Sequence, residues 1–183
     1  MSGHSKWANI KRKKELVDAK KSKIFSKILK DITVAARDGG DAVDTNPTLR
    51  TLMDKAKASN VPAKNIQRAI DKGAGKLEGQ SITEVQYEAY GPGGVGFIIK
   101  CLTDNKNRTV AEVRLALSKN GGSLGESGSA SYMFDDAFEP TFKTDLDEQD
   151  TEKFIDLLDA LEELEDVINV YHNANVELEE LEE

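Results

Sequence analysis

Cysteine is almost missing: Cys101 is the only one in 183 residues, which excludes an internal disulfide framework and any zinc site built from several thiolates. Aromatic residues are 6% of the chain, with Trp7 the single tryptophan, so the cores must be filled mostly by aliphatic side chains. No apolar run approaches the roughly 18 residues of a membrane helix. The basic N-terminus is not followed by the uninterrupted apolar stretch of a secretory signal. Histidine is confined to His4 and His172, which leaves little for acid–base chemistry. What is present is polar but globular, at 38% hydrophobic and 32% charged residues, and long enough for one ordinary domain or two small ones. A soluble, cytoplasmic protein with no membrane partner is expected.

The net charge of -8 is unevenly distributed. Residues 1–76 hold 18 Lys and Arg against 8 acids, and residues 77–134 hold 5 against 6. Residues 135–183 hold 2 against 19. The first 30 residues alone carry ten basic side chains and two acids. Such asymmetry points to a polyanion partner at the basic end.

The apolar spacing of Ile24, Phe25, Ile28, Leu29, Ile32, Ala35 and Ala36 predicts a helix from Ser22 to the Gly39-Gly40 stop. Asn46-Pro47 opens a second helix with proline where its missing N–H costs nothing. A third starts at Pro62 and ends at Gly73. Three such amphipathic helices must pack on one another, giving a helical domain over 1–76. Glu84–Tyr90 and Val95–Thr103 then read as strands joined by the turn YGPGG. Thr109–Lys119 reads as a helix with Thr109 and Glu112 at capping-box spacing. Ala130–Phe134 and Thr141–Leu146 read as strands, Asp150–Leu164 as a helix, and Val167–Tyr171 as a closing strand. The order predicts an α+β fold: a three-helix domain, then a ferredoxin-like antiparallel sheet with split βαβ connections over 80–176 and one extra strand in front. Residues 177–183 form an acidic tail.

Lys20, Lys23, Lys27 and Lys30 fall on one helical stripe with no acid until Asp31, directly after the run Lys11, Arg12, Lys13, Lys14. Like charges at this spacing repel, so the stripe is either a solubilising face or a grip on phosphate backbone. Lysine supplies point charge rather than the arginine fork, which favours contact that does not read bases. Trp7, beside Lys6, either stacks on an unpaired base or anchors the N-terminus. Arg50, Lys55, Lys57, Lys64, Arg68 and Lys72 are secondary candidates. YGPGGVG at 90–96 lacks the Lys-Ser/Thr of a phosphate loop and reads as a tight turn. GGSLGESGS at 121–129 is either a plain connection or a loop whose N–H groups approach phosphate. Asp135 and Asp136 read as turn acids rather than metal ligands, since neighbours on a strand face opposite ways. Cys101 reads as a small core residue. No catalytic site, metal, cofactor or small-molecule substrate is expected.

The strings GHSKWANIK (3–11), ITVAAR (32–37), NPTLR (46–50), VPAKNIQRAIDKGAG (61–75), YEAYGPGGVG (87–96), LTDNKNRTVAEVR (102–114), GGSLGESGSASYMF (121–134) and VINVYHN (167–173) resemble the YebC/PmpR family over nearly the whole chain. The resemblance implies a regulator of gene expression. That family includes proteins labelled probable transcriptional regulators, a mitochondrial translational activator, and bacterial members that relieve ribosome stalling. Its members usually insert a third domain after the YMF string, where this chain runs straight into DDAFEP, so a short member is expected. Because the family motif begins at residue 3, no removable leader is expected.

The combined expectation is a monomeric, non-enzymatic, nucleic-acid-binding regulator that grips phosphates through Lys6, Lys11, Arg12, Lys13, Lys14, Lys20, Lys23, Lys27 and Lys30, with Trp7 stacking. The preferred partner is ribosomal RNA, because no recognition helix with Arg, Asn or Gln poised for the major groove is evident and a monomer lacks operator symmetry. The alternatives are a duplex-DNA-binding transcriptional regulator, or a ligand- or protein-sensing module acting through 121–134.

Overall fold

The computed structural model describes residues 5–77 and 81–176, with side chains of the first helix described from residue 21 onward. Among these residues are five α-helices and a four-stranded antiparallel sheet. The chain divides into two compact units, Met1–Gln80 and Ser81–Glu183. No described helix is long and apolar enough to cross a membrane.

In the first unit, α1 runs Ser5–Gly39, α2 Pro47–Ala58 and α3 Ala63–Gly73. Ser22 does not begin α1, contrary to expectation. The chain from Ser5 to Asp38 contains neither glycine nor proline, and its Lys, Ala and Leu are good helix formers, so nothing interrupts the helix before Gly39. The stop is as read, with Gly40 at φ 83° in the left-handed region where glycine is at ease. Asn46 caps α2 by accepting from the Leu49 N–H at 3.0 Å, while its amide donates to the carbonyls of Ala35 and Gly40 at 2.8 and 2.7 Å. One buried side chain thus closes the end of α1 and the start of α2. The core joins Ile28, Ile32, Ala36, Leu49, Ala56, Ile66 and Ile70. Helices α1 and α3 meet at Gly73, where an added Cβ would lie 2.1 Å from the Thr33 carbonyl oxygen.

In the second unit, β1 (Thr83–Tyr90) and β2 (Gly96–Thr103) form the expected hairpin. Its turn closes through the Gly91 N–H on the Val95 carbonyl at 2.8 Å, with Gly93 and Gly94 at positive φ. Helix α4 spans Lys106–Lys119, β3 Ser123–Leu124, α5 Glu148–Glu162 and β4 Val167–His172. The strand order is β3-β1-β2-β4 with every neighbouring pair antiparallel. Strands β2 and β3 therefore run parallel with β1 between them, so the crossover through α4 is a split βαβ unit. Val113, Leu117, Phe154, Leu157 and Leu161 of the two helices bury against Ala89, Phe97, Ile99 and Cys101. Cys101 is a core residue, as read. Ile98, on the other face of the sheet, is covered by Met133 and Phe134.

Three local expectations are corrected. Residues Ser131–Met133 form a 3-10 turn rather than a strand. Thr141–Leu146 is not a strand either: Phe134 bridges Pro140 and Thr144 bridges Ala174, each in isolation. Helix α4 is capped by Asn105 rather than Thr109, the Asn105 side chain accepting from the Arg108 N–H at 3.1 Å. Thr109 is buried instead and joins a polar network: the Asp166 carboxylate accepts from Thr103 Oγ1 (3.1 Å), Thr109 Oγ1 (2.8 Å) and the Arg108 guanidinium (2.8 Å). Asp166 is 1% exposed. Asp166→Ala is expected to cost about 3 kcal/mol in denaturant unfolding, because it removes the buried acceptor shared by two hydroxyls and an arginine and leaves a cavity among them. Arg108→Ala should cost less, its guanidinium being partly in water.

Candidate nucleic-acid interface

Of the cations expected to grip phosphate, Lys6, Lys11, Arg12, Lys13, Lys14 and Lys20 lie with Trp7 in the part of α1 whose side chains are outside the described residues. Their backbone belongs to the same continuous helix as Lys23, Lys27 and Lys30. Lys27 is exposed, and Lys23 and Lys30 are half-buried along the helix flank. This face turns away from Ile28 and Ile32, which the core takes. Lys55 of α2 joins it: desolvation lifts the Asp31 carboxyl above its ordinary range, while the charges of Lys27, Lys55 and Lys30 act against that rise. The charges of three lysines from two helices, Lys27 and Lys30 of α1 and Lys55 of α2, thus act on one carboxylate.

The secondary candidates divide. Lys64, Arg68 and Lys72 stand four residues apart on α3, so they form one stripe flanking the buried Ile66, Ala69 and Ile70. Lys64 and Arg68 are exposed and Lys72 is half-buried. Lys57 is exposed on α2. Arg50 is committed elsewhere: its guanidinium donates to the Val43 carbonyl at 3.3 Å and lies 3.5 Å from Asp44. Lys76 pairs with Asp41, which holds that carboxyl below the usual carboxylate range. The reach of the Lys27 charge to Asp31 follows from their four-residue spacing on one helix. The approach of Lys55 does not, because it depends on how α2 packs on α1.

The glycine-rich segment 121–129 is more than a connection from helix to strand. Ser123 and Leu124 pair with Tyr90 and Ala89 as the edge strand β3. Beyond it, the buried Glu88 carboxylate accepts from the backbone N–H groups of Gly128 (2.8 Å), Ala130 (2.7 Å) and Ser131 (2.8 Å). Those donors are filled by the chain's own anion. Desolvation pushes the Glu88 carboxyl up, but the three N–H donors and the Ser131 hydroxyl outweigh it and hold it below its ordinary value. An open cleft remains between Arg114 and Ser118 of α4 and residues 122–126.

The residues weighed for chemistry have structural surroundings. Asp135 Oδ1 accepts from the Ala137 and Glu139 N–H groups at 2.9 Å each, the hydrogen-bonding of a turn acid. His172 packs edge-on against Phe154 at 4.8 Å between ring centroids. Burial, and then the Lys143 charge, holds its pKa down. Among the described residues no group of three or more His, Cys, Asp or Glu gathers as a metal site.

A family model described as the TACO1/YebC protein N-terminal domain matches residues 5–76. A second, described as the TACO1/YebC second and third domain, matches 82–137 and 136–174. Relatives named probable transcriptional regulatory proteins include one from Bacillus licheniformis, 49% identical over 93% of this chain and 73% of its own length. Another, from Idiomarina loihiensis, is 38% identical with 96% of each chain covered. One from Chloroherpeton thalassium is 56% identical over 73% of this chain, a match that spans 54% of that relative. The crystal structure of a conserved hypothetical protein, Aq1575 from Aquifex aeolicus, superposes with a TM-score of 0.71 at 35% identity, covering 91% of this chain and 95% of the other.

Proposed function

The chain belongs to the TACO1/YebC family as a short member, and on that premise we propose that it is a non-enzymatic, nucleic-acid-binding regulator of gene expression. Its helical domain, residues 1–76, grips the phosphate backbone, and the α+β domain, 80–176, carries other contacts. The observation that carries this reading is the row Lys23, Lys27 and Lys30 along one flank of α1, within a segment holding ten more basic than acidic residues. Counterion release from phosphates rewards such a surface whatever the base sequence.

The relatives' names favour the transcriptional regulator, with duplex DNA as partner, over the ribosome that the residues alone suggested. Ribosomal RNA is the second reading. It is supported by the predominance of lysine, which positions a backbone without reading base edges.

Replacing Lys23, Lys27 and Lys30 together by Gln removes up to three phosphate contacts. The slope of log affinity against log salt on duplex DNA should then flatten by up to about 2.7. An unchanged slope overturns the assignment. Offering labelled protein both ribosomes and excess random duplex at about 150 mM salt decides the partner: sedimentation with ribosomes supports the translation reading, and transfer to duplex supports the transcriptional one.

A further inference from the structure

We infer that the hairpin Tyr132–Phe142 of the α+β unit is a docking surface for a basic, arginine-rich segment of a partner protein. This surface lies in the other unit from the lysine cluster, so it stands or falls independently of the nucleic-acid reading.

The hairpin is closed by the Asp135 N–H on the Glu139 carbonyl and the Thr141 N–H on the Met133 carbonyl, both at 2.9 Å, on either side of the Phe134–Pro140 bridge. Met133 and Phe134 turn inward onto Ile98. Tyr132 and Phe142, one on each arm at the open end, are left 64% and 49% exposed. In a chain with so few aromatics, two large rings held out of the core are surface that a partner can cover.

Charge narrows the partner. Asp135, Asp136 and Glu139 are exposed at the hairpin tip, with Lys143 exposed beyond Phe142, in a stretch from residue 135 onward whose sequence holds two lysines against nineteen acids. A phosphate polymer is repelled there. A cation that also stacks on ring faces is drawn in, and arginine does both. The same hairpin already shows this chemistry internally. Lys100 Nζ sits 3.9 Å from the centre of the Phe138 ring, which stacks on Tyr171 at 4.8 Å.

The test is fluorescence anisotropy of a labelled peptide of alternating arginine and glycine, titrated with the full chain at about 150 mM salt. The wild-type protein should bind it. The Tyr132→Ala/Phe142→Ala variant and the Asp136→Asn/Glu139→Gln variant should each bind at least tenfold more weakly while keeping the wild-type unfolding midpoint. The charge variant alters only exposed tip residues and carries the test should the aromatic variant fold poorly. No binding by the wild-type chain, or equal binding by the variants, overturns the inference. So does loss of nucleic-acid affinity in the aromatic variant with peptide binding intact, which would make the rings a base-stacking platform. Dimerisation abolished by the same substitutions would also overturn it, making the basic α1 of a second copy the occupant.

Discussion

Replacing Gly73 by alanine is expected to destabilise the helical unit by about 3 kcal/mol or more. The new Cβ would lie 2.1 Å from the Thr33 carbonyl oxygen and 2.9 Å from the Ala36 Cβ. Neither neighbour is the free end of a flexible side chain: one is helix backbone, the other is fixed to it. The helices must therefore separate, and separation uncovers Ile32, Ile66 and Ile70. Overpacking of a well-filled core commonly costs 1–3 kcal/mol, and rigid neighbours place this site at or beyond the upper end. Hydrogen exchange read along the chain is the appropriate measurement. Amides of α1 and α3 should lose protection while those of β1 and β2 keep theirs. Unchanged protection in α3 would mean the helices do not meet as described.

Glu88→Gln should cost about 2–4 kcal/mol, and for an electrostatic reason. Glu88 Oε1 accepts from Gly128, and Oε2 from both Ala130 and Ser131. An amide supplies only one oxygen, so with that oxygen on Ala130 and Ser131 its NH2 must point at the Gly128 N–H, donor facing donor. The pH dependence follows from the depressed pKa. Because the folded carboxyl holds its proton less tightly than the unfolded one, its contribution is fully present above the ordinary glutamate range and is lost as pH falls through the folded value. Denaturant midpoints followed from neutral pH into the acid range should fall more steeply for the wild-type chain than for Glu88→Gln. Parallel curves would mean the carboxylate is not the anion that fills this loop.

Glu88 also explains where sequence reading failed. The apolar alternation of Ala130–Phe134 resembles a strand, but a strand spends its N–H groups on a ladder. Here those of Ala130 and Ser131 go to a carboxylate 42 and 43 residues back in the chain, and the segment winds into a 3-10 turn. β3 escaped notice because two residues carry no period. By contrast, the caps and breaks were legible where they act locally: Asn46-Pro47, Gly40 and the YGPGG turn each decide their own few residues. The lysine face on α1 was legible for the same reason, since helical spacing alone sets it. Its completion by Lys55, and the loss of Arg50 to Asp44, depend on packing and on a neighbouring loop that no spacing records.

The two segments matched by the second family model meet at residues 136–137, in the turn between Phe134 and Pro140. That bridge fixes the distance between the points where the chain leaves and re-enters the unit at about one strand spacing. Longer relatives that place extra sequence here must thread it out and back through the same narrow gate. The shorter chain needs no repair at this point, because Asp135 closes the gate with two hydrogen bonds of its own. Gain or loss of a whole module at this position then leaves the four-stranded sheet topologically untouched.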